Sequence, residues 1–178
     1  RISGSILTSD HLIELLQLVE SIRYENTILR EIAFEMPYCS YSRQDRRCNP
    51  GESFSLKVFA QLINSCNFSN VFTWDNHSDV STALINNCFN YSVDKLLNLH
   101  KRKLGTYDFF ISPDAGANKK VQACSKQFNI HMLRADKIRD TATGKILDTI
   151  LYATPDELLG KRMLIIDDLC DGGRNFTE

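Results

Sequence analysis

Two neighbouring acids and two neighbouring glycines follow a short apolar run near the end of the chain. Met163 to Ile166 is apolar and flanked by charge, which predicts a central strand of a parallel sheet. Asp167 and Asp168 follow the carboxyl end of that strand, where open α/β sheets bind their ligands. The glycines in the next turn, Asp171 to Gly173, would let backbone N–H groups approach an anion. Carboxylates can bind sugar hydroxyls or Mg²⁺, and N–H groups can bind phosphate, so this stretch predicts a ribose-phosphate site.

A helix that begins near Asn175 to Thr177 would point its free N–H groups at such a phosphate. Each half of the pattern also occurs in ordinary loops, so neither is specific alone. In the order strand, two acids, three residues and two glycines, they resemble the phosphoribosyl pyrophosphate loop of type I phosphoribosyltransferases and phosphoribosyl pyrophosphate synthetases. Asn175 stands where that family usually has Thr. The resemblance implies ribose-phosphate contacts from Asp167, Asp168, Asp171, Gly172, Gly173, Arg174 and Asn175.

A second polar segment, Tyr38 to Gly51, concentrates arginines between a proline and a glycine. Arginine suits phosphate because its guanidinium group can bond two oxygens at once, although a solvated charged loop would have the same composition. The pattern PY-x-x-Y-x-RQDR is similar to the nucleotide-binding segment of the synthetases, which simple phosphoribosyltransferases lack. That resemblance implies that Arg43 and Gln44 hold ATP and that Asp45 binds there or orders the loop.

The segment WDNHS places a histidine at the end of another predicted strand. A single histidine is more often structural than a ligand. Here His77 follows Asp75, and the segment resembles the D-x-H-x segment of the synthetases. The resemblance implies that His77 takes part in binding Mg²⁺ and ATP, although Asn76 stands where Leu is common in the family.

Asp114 directly follows a further predicted strand, in the segment ISPDAGA. An ordinary turn and helix cap would also explain an aspartate there. The segment is very similar to SPDAGG of the synthetases, in which the aspartate contributes to the metal and ribose region. Asp114 is therefore a candidate metal ligand by resemblance.

Lys137 and Arg139 lie two residues apart in a polar stretch that follows the predicted strand 129–133. On an extended segment their side chains would point the same way and could meet one polyphosphate together. An exposed charged hairpin is the alternative. A lysine and an arginine at this spacing neutralise the transferring group in the synthetases, on a mobile loop after the same strand, so the resemblance implies a catalytic pair.

The composition is that of a globular protein, with 178 residues and 43% hydrophobic content. Because 21 basic and 22 acidic residues give a net charge of −1, the chain has no overall positive field for nucleic acid, and anion binding must be local. Six cysteines without a CxxC pair favour reduced thiols in a cytoplasmic protein. No apolar run approaches the roughly 18 residues that span a bilayer. Both ends look cut, so we expect a fragment. The resemblance to the synthetases implies that a nucleotide-stacking segment of the family precedes Arg1.

Hydrophobic periodicity predicts alternating strands and helices. Strands are expected over 1–7, 28–36, 71–74, 108–112, 129–133, 146–152 and 163–166. Helices are expected after a cap at Ser9 and Asp10, and over 54–66, 93–103 and 118–128. The predicted apolar face of the first helix consists of Leu12, Ile13, Leu16, Val19 and Ile22, and that of the second consists of Phe54, Val58, Leu62 and Ile63. A polar turn is expected at 90–92 and a linker over 154–160.

Together these observations predict an α/β protein with two Rossmann-like, phosphoribosyltransferase-type halves, residues 1–92 and 93–178, each with a mostly parallel sheet and both incomplete. The resemblance implies a ribose-phosphate diphosphokinase that uses Mg²⁺, transfers pyrophosphate from ATP to ribose 5-phosphate and forms a homo-oligomer. Three alternatives stay open. They are a phosphoribosyltransferase, a non-catalytic regulatory homologue, and the same transfer to a larger acceptor such as ADP-ribose.

Overall fold

A computed structural model describes residues 1–25, 31–104, 106–140 and 146–170 of the chain. The chain divides into two compact units, Arg1–Ser92 and Val93–Glu178. Each unit contains a four-stranded sheet flanked by helices. All three strand pairs of the first sheet are parallel, and so are two of the three strand pairs of the second sheet. The predicted α/β class with mostly parallel sheets is therefore confirmed. Among the described residues, no helix is long and apolar enough to cross a membrane.

The first unit is built on a sheet whose strands lie side by side in chain order. The strands are β1 (Ile2–Ser3), β2 (Ala33–Met36), β3 (Asn70–Trp74) and β4 (Cys88–Tyr91). The connecting helices are α1 (Ser9–Glu25), α2 (Ser55–Ser65) and α3 (Val80–Leu84). Right-handed crossovers between strands in this order bring successive helices to the same face. Val19 of α1 and Phe59 of α2 accordingly share one buried core with Phe34 and Val71 of the sheet.

The opposite face of this sheet carries a row of aromatic side chains. The Trp74 ring centroid lies 4.9 Å from that of Tyr91, and the Phe72 ring stacks on Tyr91 at 5.8 Å. The indole N–H of Trp74 donates a hydrogen bond of 3.3 Å to the Glu35 carboxylate. These contacts fix the direction of β3 at the point where the WDNHS segment leaves the sheet.

The second unit contains the strands β5 (Phe109–Ser112), β6 (His131–Arg139), β7 (Ile146–Leu151) and β8 (Met163–Ile165), in the spatial order β7-β6-β5-β8. Both neighbours of β5 run parallel to it, and β7 is antiparallel to β6. The helices are α4 (Val93–Leu104), α5 (Asn118–Phe128) and α6 (Pro155–Leu158). Val121 and Cys124 of α5 pack against Phe110 and Ile166 in the core of this unit.

Helix α5 follows the local sequence signals closely. It covers the predicted residues 118–128, and Asn129 ends it in a left-handed conformation with φ of 53°. Asparagine tolerates that conformation better than most residues, so it serves as a helix stop. The short helix α6 forms where a linker was predicted, because Thr154 and Glu157 make a reciprocal capping box around Pro155.

Several predicted strand limits were wrong, because pairing with a distant strand decides where each of these strands begins and ends. The first strand ends at Ser3 rather than continuing through Leu7, and a strand, β4, forms across residues predicted to turn. Strand β6 continues through Arg139 because β7 pairs with it, whereas the sequence predicted an end at Leu133. Strand β8 lies at the edge of the described sheet, not at its centre, since β5 is its neighbour on one side only.

The buried faces of two helices also differ from prediction. Ile13 is 52% exposed, and the neighbouring Leu15 is buried in its place. In α2, Val58 is 51% exposed and Leu62 38%, while Leu56 and Phe59 form the buried face. Apolar residues occur all around these helices, so periodicity alone could not select the correct face.

Candidate active site

In the first unit, two of the predicted segments meet at one edge of the sheet. Strands β2 and β3 are parallel neighbours, so their carboxyl ends lie side by side. The arginine-rich loop follows Met36, and the WDNHS segment begins at Trp74, the last residue of β3. The local geometry at the second strand end is held by Asp75, whose φ is 44° and whose N–H donates to the Tyr91 carbonyl at 2.7 Å.

Asp45 is the fixed centre of the arginine-rich loop. Its side chain is 4% exposed and accepts a hydrogen bond of 2.9 Å from Nε of the exposed Arg46. The Ser78 hydroxyl, followed by Arg46 and His77, holds the pKa of Asp45 below its usual range in spite of burial. Asp45 therefore lies beside the WDNHS segment, and its burial favours the loop-ordering alternative over direct contact with a ligand.

Arg43 and Gln44 lie on the exposed side of the same loop. The Gln44 N–H donates to the Tyr41 carbonyl at 2.9 Å, and the Gln44 carbonyl accepts a hydrogen bond from the Leu56 N–H at 3.3 Å. The backbone beneath the two side chains is thereby tied to the start of α2. Further along the loop, the Glu52 carboxylate accepts hydrogen bonds from the backbone N–H groups of Cys48 and Asn49.

In the second unit, the acids after β5 and β8 meet in the same way. These strands are parallel neighbours with Ile111 opposite Ile165, so Asp114 and Asp167 follow them at the same edge of the sheet. Strand β6 flanks β5 on its other side and continues past this edge. Its extension brings the side chain of Lys137 to Asp114.

Asp114 is held by two donors. The Lys137 ammonium lies 2.9 Å from Oδ2, and the Ala117 N–H donates to Oδ1 at 3.1 Å. Burial would raise the pKa of Asp114, but Lys137 and the Ala117 N–H outweigh it and hold that pKa below its usual range. The Lys137 side chain is only 7% exposed, so water screens this ion pair poorly.

The adjacent acids Asp167 and Asp168 have different surroundings. The Asp168 carboxylate lies 3.4 Å from the Lys120 ammonium of α5, while Asp167 accepts the backbone N–H of Asp168 at 2.9 Å. Burial, followed by the carboxylates of Asp168 and Asp114, raises the pKa of Asp167 to about 6. Negative charge is therefore in excess around Asp167.

Some of the predicted site residues lie outside the described part of the structure. Asp171, Gly172, Gly173, Arg174 and Asn175 lie outside the described residues, so their assignment stays a prediction. The backbone of Arg139 belongs to β6, but its side chain is outside the described part of the structure. His77 is exposed beside Asp45. Within the described ranges, no three His, Cys, Asp or Glu side chains are grouped to hold a metal by themselves.

The structure adds two residues that sequence reasoning missed, Lys120 beside Asp168 and Ser78 beside Asp45. A signal for Lys120 exists in the sequence, because it stands in the first turn of α5, where a cation opposes the helix dipole. A lysine there suggests a nearby acid. Ser78 has no comparable signal, since its contact depends on how the loop folds back. None of the six cysteines, all in described positions, forms a disulfide, and burial raises the pKa of Cys39 to about 11.

Comparison with known proteins gives a consistent result. Residues 3–66 match the family described as the N-terminal domain of ribose phosphate pyrophosphokinase. The chain is 31% identical over 180 residues to a ribose-phosphate pyrophosphokinase of Rhizobium meliloti, with 96% of this chain and 54% of the relative covered. A ribose-phosphate pyrophosphokinase of Agrobacterium fabrum is 30% identical, with the same shares covered. The chain thus spans about half the length of the curated relatives it matches.

The fold is also found in a solved structure. The crystal structure of phosphoribosylpyrophosphate synthetase from Mycobacterium smegmatis superimposes with a TM-score of 0.72 at 18% identity, covering 97% of this chain and 55% of that one. At this identity the match is evidence for the fold alone. Together with the sequence matches, it confirms the resemblance that the motifs predicted: over nearly its whole length, this chain is a relative of the ribose-phosphate pyrophosphokinases.

Proposed function

We propose that the protein is a ribose-phosphate diphosphokinase, which transfers the pyrophosphoryl group of ATP to the anomeric hydroxyl of ribose 5-phosphate. The oxygen of that hydroxyl forms a bond to the β-phosphorus of ATP, and the bond from this phosphorus to the α–β bridging oxygen breaks. The products are phosphoribosyl pyrophosphate and AMP, and the hydroxyl proton is released. No covalent intermediate with the protein is required, so the protein's task is positioning and charge neutralisation.

The observation that carries the proposal is the group of charged residues at the carboxyl edge of the second sheet. Asp114, Lys137 and Asp167 come from three motifs that are far apart in sequence, and the fold brings them together. A buried lysine paired with Asp114, which itself lies near the Asp167 carboxylate, suits a reaction in which phosphate charge redistributes. In the proposed reaction, Lys137 moves its ammonium from Asp114 to the transferring group, and Arg139 acts with it.

The ATP-binding role is assigned to the first unit. Arg43 and Gln44 are exposed on a loop whose backbone is anchored by Asp45 and α2, so their side chains are available to phosphate or base. His77 stands beside the same loop. Asp167 and Asp168, with the glycine turn that follows them, are assigned to the ribose 5-phosphate.

The donor groups of both units fit Mg²⁺, a hard cation that prefers oxygen and usually keeps several waters or phosphate oxygens. Asp114 would contribute in the second unit, where negative charge around Asp167 exceeds the positive charge, and His77 would contribute through the nucleotide in the first. When bound, the ion would neutralise charge on the ATP phosphates.

Phosphorus NMR of the reaction of the full-length protein with ATP and ribose 5-phosphate tests the proposal. We expect AMP and phosphoribosyl pyrophosphate in equal amounts, and loss of both products in Lys137→Met. The matched control is Lys126→Met, an exposed lysine in the last turn of α5. ADP as the main product would contradict the proposal, as would release of pyrophosphate from phosphoribosyl pyrophosphate that depends on an added base. Parallel reactions with ADP-ribose decide between the two acceptors.

A further inference from the structure

Lys120 is a partly buried lysine that the proposed chemistry has not used. It stands in the first turn of α5, which contains no acidic residue, and its side chain is 22% exposed. A positive charge at this end of a helix is disfavoured by the helix dipole. Partial burial increases the cost, so the lysine needs a compensating partner.

That partner is one of the two acids that follow β8. The Lys120 ammonium lies 3.4 Å from Oδ1 of Asp168, across 48 positions of sequence, and the Asp168 side chain is 17% exposed. Because both groups are shielded from water, the pair is screened less than a surface ion pair. It joins the start of α5 to the loop that follows β8.

The ion pair gives the two adjacent acids different electrostatic surroundings. Asp168 faces a cation, whereas Asp167 has no cationic side chain within ion-pair distance among the described residues. The Asp168 N–H nevertheless donates to Oδ1 of Asp167, so the position of one acid constrains the other. A residue that fixes Asp168 therefore also fixes the direction of Asp167.

We infer that Lys120 is a positioning residue for the sugar-phosphate site: it holds Asp168 in place so that Asp167 is left to contact the ligand. This inference rests on the proposed function, because the ligand is taken to be ribose 5-phosphate. Lys120 itself does not contact the reacting atoms. Partners of this kind, which orient a residue that binds a ligand, typically change affinity or activity roughly 10- to 100-fold when they are removed.

The test uses the full-length protein and measures the KM for ribose 5-phosphate, the KM for ATP and kcat. For Lys120→Met we expect the KM for ribose 5-phosphate to rise roughly 10- to 100-fold and the KM for ATP to stay at the parent value. Lys120→Arg, which keeps the charge, should restore most of the loss. Lys119→Met, a change at the exposed neighbour in the same helical turn, should resemble the parent. Lys120→Gln provides a second neutral variant if the methionine variant is poorly folded.

A double-mutant cycle with Asp168→Asn separates positioning from direct contact. If Lys120 acts through Asp168, adding Lys120→Met to Asp168→Asn will leave the KM for ribose 5-phosphate unchanged. A further rise in that KM would overturn the inference, because it would mean that Lys120 contacts the ligand. A lower melting temperature of Lys120→Met with parent kinetics would overturn it too. If the parent makes no AMP, the proposed function fails, whereas an active parent with an unaffected Lys120→Met variant defeats only this inference.

Discussion

Lys137 and Asp114 form a shielded ion pair in the second unit, with 2.9 Å between the ammonium and Oδ2. In the proposed reaction both groups have other partners, since Lys137 must meet phosphate and Asp114 must meet a cation. The ion pair therefore keeps each charge compensated until ligands replace it. Removing one member leaves a shielded charge without its partner, which is costly.

The first prediction concerns Lys137→Ala. Its charge matters most when charge on the transferring group redistributes, so kcat should fall roughly 10² to 10³-fold, as when one electrostatic donor is deleted from an active site. ATP binding should weaken much less. Steady-state kinetics together with calorimetric titration of ATP measures both quantities. Equal losses in binding and turnover would instead identify Lys137 as an anchor for the ground state.

For single residues, the sequence predicted which positions lie at strand ends better than it predicted which side chains contact one another. The sequence placed Asp114 and Asp167 just after strands, and parallel neighbouring strands bring such residues to one edge of the sheet. Their assignment to the site stays a prediction. The pairing of Lys120 with Asp168 could not be predicted, because it depends on how α5 packs on the sheet. The burial of Asp45 was equally invisible in a segment composed almost entirely of polar residues.

At the scale of elements, α2 supplies the second prediction. Phe59 is 2% exposed within the core of the first unit, whereas the adjacent Val58 is 51% exposed. Phe59→Ala should lower the free energy of unfolding by about 3 to 5 kcal/mol, the usual cost of such a core truncation. Val58→Ala should change it by less than about 0.5 kcal/mol. Urea unfolding of both variants is the measurement, and a larger loss for Val58→Ala would mean that the buried face of α2 is misassigned.

Asp108, the residue that precedes β5, supplies the third prediction. Asp108 accepts hydrogen bonds from the Arg162 N–H at 2.9 Å and the Lys161 ammonium at 3.2 Å, and these donors, Arg162 first, lower its pKa. A lowered pKa in the folded state means that the stabilisation is present above the ordinary aspartate value of about 4 and is lost as the pH falls through the folded value. Asp108→Asn should therefore reduce stability at pH 7 and reduce it less at pH 3.

Urea midpoints at the two pH values measure this effect, with the exposed Asp156→Asn as the control. A stability difference between Asp108→Asn and the parent that is the same at pH 3 and pH 7 would show that the carboxylate charge does not tie β5 to β8.

Strand boundaries were the least predictable feature of the elements. Helix α5 carries its own stop signal in Asn129, so its limits followed from local sequence. Strand β4 forms only because β3 offers it a partner, and the last part of β6 only because β7 does. Hydrogen bonds between strands are made with distant segments, and the local pattern contains little information about them.

At the scale of the whole molecule, two separate sheets each bring their motifs to a carboxyl edge. The first unit contains Arg43, Gln44 and His77, and the second contains Asp114 and Lys137. The α/β class and the family resemblance followed from the order of motifs along the chain, because each motif marks the end of a strand. The division of ATP and sugar phosphate between the units stays a proposal.

The sole tryptophan of this sequence gives that division a direct optical test. Trp74 donates its indole N–H to Glu35, packs against Tyr91 and precedes His77 by three residues, so its fluorescence should respond when the edge of the first sheet is occupied. We expect ATP alone to change the emission of the indole, and ribose 5-phosphate alone to leave it unchanged. Trp74→Phe should abolish the signal. The reverse response, to the sugar phosphate only, would exchange the ligands assigned to the two units, so this ring serves as an intrinsic probe of which substrate binds where.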